Sequence, residues 1–271
     1  MKKRIWELDF FRGFAIIMMI FDHLMYDFMT MKSYFSNFTT VNNSIFNFLT
    51  ESGVWYWNSE LRFFGHIFFV SLFLLISGIS YNFSKNNLSR GVKLLIIALL
   101  INLVTYIIDI FISGSFTFFG IIHLYAVSII LIYYIRKIIK NIFKSESKQE
   151  TFLLVLSLVI IFIGIVFKFY NVKYLNKFSF SDLLGIILGV EGYGFGADYF
   201  SVFPYTGFIL LGTVLGKQFY KNKVSLVPKI DFSDKNLFMI AGRKSLLIFI
   251  LHQPILIGII FIIGYIFGYR F

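Results

Sequence analysis

Arg12 and His23 stand eleven residues apart in one long apolar stretch, residues 5–29, which also carries Glu7, Asp9, Asp22 and Asp27. A charge inside a membrane helix is costly and usually faces the protein interior, where it marks a functional site. At about 100° per residue, eleven residues make three turns plus about 20°, so both side chains leave nearly the same face, about 16 Å apart along the axis. A guanidinium and an imidazole on one stripe suit a ligand that spans that depth. An imidazole titrating near pH 6.5 can take a proton from an incoming amine or hydroxyl at neutral pH, which makes His23 a candidate general base. Asp27, one turn further on, is placed to orient that imidazole as a carboxylate does in a catalytic triad.

The other three histidines, His66, His123 and His252, also fall in or at the edges of apolar stretches, with Asp22, Asp109 and Asp198 within reach. His66 and His123 equally suit interfacial positions hydrogen-bonded to head-groups or backbone. His252 and Gln253 precede Pro254, whose ring removes a backbone donor and frees the carbonyl of Ile250; both side chains are candidates for repairing that kink. No pair has His-x-x-x-His spacing, so no metal is expected. The chain has no cysteine, which excludes disulfides and thiol catalysis.

These residues need membrane helices to position them. The chain is 58% hydrophobic and only 14% charged, against roughly 25% charged in soluble domains. Seven stretches reach the length of a span: 5–29, 62–83, 91–112, 118–140, 152–170, 201–220 and 243–268. The expected fold is all-α, a polytopic integral membrane helical bundle of about seven transmembrane helices forming a single domain over 1–271. Lys and Arg number eighteen in the flanks on one side and six on the other, and Arg12 completes the 25. The N-terminus is therefore expected in the cytoplasm. The net charge of +11 sits in loops between apolar runs, which points to lipid head-groups and not to nucleic acid. The Met-Lys-Lys-Arg start is followed by a run broken by Glu7, Asp9 and Arg12 without a small-x-small site, so a retained helix is expected.

Two outer loops are long. Residues 30–61 suit an interfacial helix with an aromatic belt. Residues 171–200 include a short apolar piece, 183–190, and a glycine-alternating run, 191–198, that lacks the strand and the Lys-Ser/Thr of a phosphate loop. That run reads as a lid or surface loop. Gly212 and Gly216 have the spacing that lets helices approach closely.

The run Arg4-Ile-Trp-Glu-Leu-Asp-Phe-Phe-Arg-Gly-Phe-Ala15 followed by His23 resembles the opening of the heparan-α-glucosaminide N-acetyltransferase catalytic domain family in its small bacterial form. Phe119-Gly-Ile-Ile-His123, Asp198-Tyr-Phe with Phe203-Pro-Tyr205, and Gly242-Arg-Lys-Ser-Leu-Leu-Ile-Phe-Ile-Leu-His-Gln-Pro254 agree with it. The opening is also similar to the membrane acyltransferase family 3. The resemblance implies a plasma-membrane enzyme that moves an acyl group, usually acetyl, from cytoplasmic acyl-CoA to an extracytoplasmic sugar or glycolipid. It implies donor binding by Arg12, Arg243 and Lys244, catalysis by His23 and Asp27, and a thioester or oxyanion site shaped by His123 and His252. His66, Asp198 and Gln253 are expected toward the acceptor. The family's acyl-carrying histidine of the first outer loop has no counterpart within 30–61, so direct transfer is expected. Partners are then acetyl-CoA, the glycan acceptor and membrane lipids, and a homo-oligomer is compatible with the sequence. The rival is a secondary or proton-coupled transporter relaying protons through the same His and Asp residues.

Overall fold

The structure is a computed structural model that describes residues 5–112, 114–170, 182–189, 198–230 and 235–270. Its described elements are helical: α1 (Trp6–Tyr34), α2 (Phe38–Val41), α3 (Ser44–Trp57), α4 (Glu60–Ile79), a 3-10 turn (Ser80–Phe83), α5 (Asn87–Asp109), α6 (Ile121–Ile142), α7 (Glu146–Tyr170), α8 (Leu183–Leu188), α9 (Val202–Phe219), α10 (Leu237–Arg243) and α11 (Ser245–Ile266). Six helical stretches are long and apolar enough to cross a membrane: α1, α4 with its 3-10 turn, α5, α6, α7 as far as Phe167, and α11. The protein is a multi-pass membrane protein. The seventh stretch expected, 201–220, forms α9, which is not among these six. Lys217 and Gln218 at its end lower its mean hydropathy most, and its glycines pack closely on neighbouring helices. The glycine-alternating run lies outside the described residues except for Asp198.

The chain divides into two compact units, Met1–Phe73 with Val224–Phe271, and Leu74–Lys223. In the first, α1 is the central helix, packed on α3, α10 and α11. Its contact with α10 is backbone against backbone. A Cβ on Gly13 would stand 1.8 Å from the Phe238 carbonyl oxygen, and one on Gly242 would stand 1.8 Å from that of Asp9. This close approach brings the two arginines that follow or precede it, Arg12 and Arg243, to one spot. Gly242→Ala is therefore expected to destabilise the fold by about 1–3 kcal/mol or more through overpacking. Gly258→Ala, with nothing within 4 Å of its Cβ position, is the matched control and should be neutral or slightly stabilising. Thermal unfolding in detergent checks both.

Helix α3 begins at Asn43, whose side-chain oxygen accepts from the amides of Ile45 (2.9 Å) and Phe46 (3.3 Å), the usual way to satisfy a helix N-terminus. It buries Phe46, Thr50, Gly53 and Tyr56 and exposes Ile45, Phe48 and Trp55. The stretch 30–61 thus holds a helix with one face packed on the protein and apolar side chains on the other. Beside it, Phe35, Phe38, Phe46 and Tyr269 form a buried aromatic cluster with Met31 and Ile260. Asn37 pins the chain end there, donating to the Gly268 carbonyl (3.0 Å) and accepting from the Arg270 amide (2.7 Å).

In the second unit, α9 packs on α7, α6 and the 3-10 turn, and α5 packs on α6. The small residues do this work: a Cβ on Gly212 would lie 2.1 Å from the Leu75 carbonyl oxygen. Buried polar groups are paired across these contacts. Ser128 and Thr206 share a hydrogen bond of 2.6 Å. Arg136 reaches Glu150 (2.8 Å) and Thr213 (2.8 Å), while Lys217 reaches Glu150 (2.9 Å).

Candidate active site

Around the first turns of α1, one carboxylate sits between two guanidiniums. Asp9 Oδ1 lies 3.3 Å from Arg12 Nη1, and Asp9 Oδ2 lies 3.5 Å from Arg243 Nε. Arg12 also donates to the Gly242 carbonyl at 3.5 Å. Among the described residues two guanidiniums face this carboxylate, and guanidinium forks match phosphate geometry. Lys244, between α10 and α11, is exposed. Nearby, the Leu226 amide donates to Glu7 Oε1 (2.7 Å) and Trp6 Nε1 donates to the Val227 carbonyl (3.0 Å), which ties residues 226–227 to the start of α1.

Further along the same helix, His23 meets His252 of α11, ring centroids 4.8 Å apart and planes at 87°. Arg12 and His23 thus both face the α10–α11 segment, as their spacing predicts. His23 Nδ1 lies 2.9 Å from the Met19 carbonyl, and His252 Nδ1 lies 2.7 Å from that of Phe249. A carbonyl only accepts, so each neutral ring carries its proton on Nδ1 and its lone pair on Nε2. His252 is 8% exposed, and its Nε2 is buried without a hydrogen-bond partner among the described residues.

Asp27 is 0% exposed and does not orient His23 in the way expected from its spacing. Side chains on a helix lean toward its N-terminus, so the His23 ring reaches back to Met19. The Asp27 carboxylate is instead held across the helix pair by Gln253 Nε2 (2.9 and 3.1 Å) and by the Tyr34 hydroxyl (3.0 Å). Gln253 therefore bonds to Asp27, and His252 to Phe249. Neither bonds to the carbonyl that Pro254 leaves free. The oxyanion role expected of His252 also meets an obstacle: its one N–H is already engaged with Phe249, and a lone pair does not stabilise an oxyanion.

On a neighbouring face of α1, about 100° round from His23, Asp22 pairs with Arg62 Nε (3.1 Å) and accepts from the Tyr56 hydroxyl (3.2 Å), with His66 Nδ1 at 3.6 Å. The Arg62 guanidinium also lies 3.8 Å from the Trp57 ring centroid. Burial, then the neighbouring carboxylate of Asp22, pushes the Tyr56 phenol up to about 12, so it remains a donor at neutral pH. His66, expected toward the acceptor, belongs to this ionic cluster.

His123 and Asp198 lie in the second unit. His123 Nδ1 accepts from the Gly120 amide (3.2 Å), and its Nε2–H donates to Asn102 Oδ1. Both ring nitrogens are engaged in fixing the start of α6, the backbone-bonded alternative that its position left open. Asp198 Oδ2 accepts from the Ile121 amide (3.3 Å), also at the N-terminus of α6, where the helix dipole favours a carboxylate. The Phe200 amide donates to the Phe119 carbonyl (2.9 Å). The motifs at 119–123 and 198–200 are thus one structural unit.

Sequence reasoning missed Tyr34, although its seven-residue spacing from Asp27 places both on one face. It also missed the sharing of the Asp9 carboxylate with Arg243 and the pairing of Asn102 with His123, which carry no local signal. Two surface hollows, at Trp57–Phe64 and Phe143–Val155, border neither Arg12 nor His23. Among the described residues, no three of His, Asp and Glu converge as metal ligands would.

No curated protein and no solved structure matches the chain. The family model described as heparan-alpha-glucosaminide N-acetyltransferase, catalytic, matches residues 4–254, a span that takes in Asp9, Arg12, His23, Asp27, Arg243, His252 and Gln253. The chain therefore belongs to that family of transmembrane acetyltransferases.

Proposed function

We propose that this protein transfers an acetyl group from cytoplasmic acetyl-CoA to a sugar or glycolipid on the outer side of the plasma membrane, with His23 as general base. The observation that carries the reading is the stripe on α1: a guanidinium cluster in its first turns and, three turns on, an imidazole whose tautomer leaves Nε2 ready to accept a proton. Phosphates of the donor would rest on Arg12 and Arg243 with Lys244 beside them, and the thioester would reach His23. Asp27, one turn away, would favour the imidazolium that forms during attack.

The test uses the purified full chain in detergent, radiolabelled acetyl-CoA and glycan-bearing membranes. Label on the glycan supports the proposal; no label, together with solute accumulation in vesicles, supports transport instead. A second measurement isolates donor binding. Acetyl-CoA should raise the melting temperature by mass action, and Arg12→Ala should abolish that shift. The unliganded melting temperature should change little, because Asp9 keeps Arg243. A full shift in Arg12→Ala would remove this residue from donor binding.

A further inference from the structure

Residues 224–230, between α9 and α10, form a strap whose backbone is tied to the first turn of α1. The Leu226 amide donates to Glu7 Oε1 (2.7 Å), and the Val227 carbonyl accepts from Trp6 Nε1 (3.0 Å). The same carbonyl accepts from the Ile230 amide (3.3 Å) and closes a turn. Pro228 is its second residue, where the fixed φ of the ring suits a turn. The Val227 amide donates to Ser225 Oγ (3.0 Å). Glu7, which holds the strap, is buried.

The backbone is thus satisfied while the side chains stay uncovered. Val224, Leu226, Val227 and Ile230 are 41–61% exposed, and Lys229 is exposed among them. Four large apolar side chains within seven residues make a costly surface in water. Their position offers a different solvent. Helix α1 has 29 residues, about 43 Å at about 1.5 Å each, against about 30 Å of hydrocarbon. The excess lies where its charges are, so Glu7, Asp9 and Arg12 stand at the level of the head-groups. The strap, bonded to Trp6 and Glu7, stands at that level too, and an indole suits it. Charge agrees. Over 221–235 the sequence sets Lys221, Lys223, Lys229 and Lys235 against Asp231 and Asp234, of which the two aspartates lie outside the described residues. The lysine-rich side is the one expected in the cytoplasm, where anionic lipids attract basic segments.

We propose that residues 224–230 dock on anionic head-groups, with Leu226, Val227 and Ile230 reaching the acyl boundary and Lys229 on the phosphates, and that this docking steadies the start of α1. Asp9, which pairs with Arg12 and Arg243, lies two residues beyond Glu7. Lipid on the strap therefore also steadies the guanidinium cluster. That consequence rests on the donor-binding reading above, whereas the docking itself does not.

The chain has no cysteine, so Leu226→Cys and Ile230→Cys in the full chain each take one nitroxide label. Both positions are exposed, and their backbone bonds survive the substitution. Power-saturation EPR compares collisions with oxygen, which concentrates in the bilayer, and with a water-soluble nickel chelate. The vesicles are phosphatidylcholine alone or mixed with phosphatidylglycerol. Both labels should sit at the acyl boundary in the mixed vesicles and nearer water in the neutral ones, and Lys229→Gln should narrow the difference. Aqueous readings at both positions in mixed vesicles, or equal depths in the two lipids, overturn the docking. A second arm unties the strap with Trp6→Phe and Glu7→Ala together. In mixed vesicles this should weaken acetyl-CoA binding by about threefold to tenfold, and repulsion of acetyl-CoA by the vesicle surface is common to every chain compared. Glu7→Gln, which keeps an acceptor for the Leu226 amide, should bind as the wild type does. Equal affinity in tied and untied chains overturns the coupling alone. No acetyl-CoA binding by the wild type overturns the donor reading and leaves the depth result to decide the docking.

Discussion

His23→Gln is expected to lower the rate of acetyl transfer by about 10²–10⁴-fold, the range that general-base catalysis supplies, or about 3–5 kcal/mol of barrier. Glutamine approximates the reach of histidine, with its amide at the position of Nε2. It has no basic nitrogen to take the proton from the nucleophile, so the substitution removes the chemistry and keeps the shape. The loss should fall on kcat. Acetyl-CoA should still raise the melting temperature, because Arg12 and Arg243 stand at the first turns of α1 and remain paired with Asp9. A transporter relaying protons through His23 predicts a different result: lost solute accumulation and no acetylated product in the wild type. Rapid transfer by His23→Gln would leave general-base catalysis to another residue, and His252 with its open Nε2 would be the first to examine.

The bundle class and the Arg12–His23 stripe were legible because both depend on one helix. Hydropathy marks a span, and 100° per residue sets which side chains share its face. The side chains that decide chemistry depended on a second helix, and local spacing was silent or misleading there. Asp27 looked like the partner of His23 because the two are one turn apart, yet Gln253, 226 residues away in sequence, holds its carboxylate. The resemblance implies that His123 shapes the thioester or oxyanion site. The structure shows both its nitrogens bonded, one to the Gly120 amide and one to Asn102 of α5. The tautomers of His23 and His252 were also hidden, since they follow from which carbonyl each ring meets. Stretch 201–220 forms a helix as its apolar content predicts, while the close contacts its glycines make in the second unit depend on other helices.

Arg62→Ala should destabilise the protein by about 1–3 kcal/mol, since it leaves Asp22, one partner of a part-buried ion pair, without its counter-charge. The side chains of Asp22 and Arg62 are 13% and 22% exposed, and the pair is 3.1 Å apart, so the near-zero value of a solvent-exposed salt bridge does not apply. Without the guanidinium, the Asp22 carboxylate keeps the Tyr56 hydroxyl and the His66 ring. One neutral donor and an imidazole that is charged only when protonated compensate it poorly. Asp22→Asn should cost less, because Arg62 retains the Trp57 ring at 3.8 Å, and a cation over an indole keeps about 0.5–1 kcal/mol or more of attraction. The double variant Asp22→Asn with Arg62→Met should regain most of the loss, since no buried charge is left unpaired. For a chain of this size, the single Arg62→Ala change corresponds to a fall in melting temperature on the order of 5 °C, measured in detergent. Because Asp22 and His23 are adjacent, loosening the ionic face of α1 also lets the helix turn about its axis, which moves His23 relative to His252. Arg62→Ala should therefore lose acetyl transfer even well below its melting temperature, and the double variant should recover it. Unchanged melting in Arg62→Ala would show that head-groups or water already solvate Asp22, and that the pair does not set the rotation of α1.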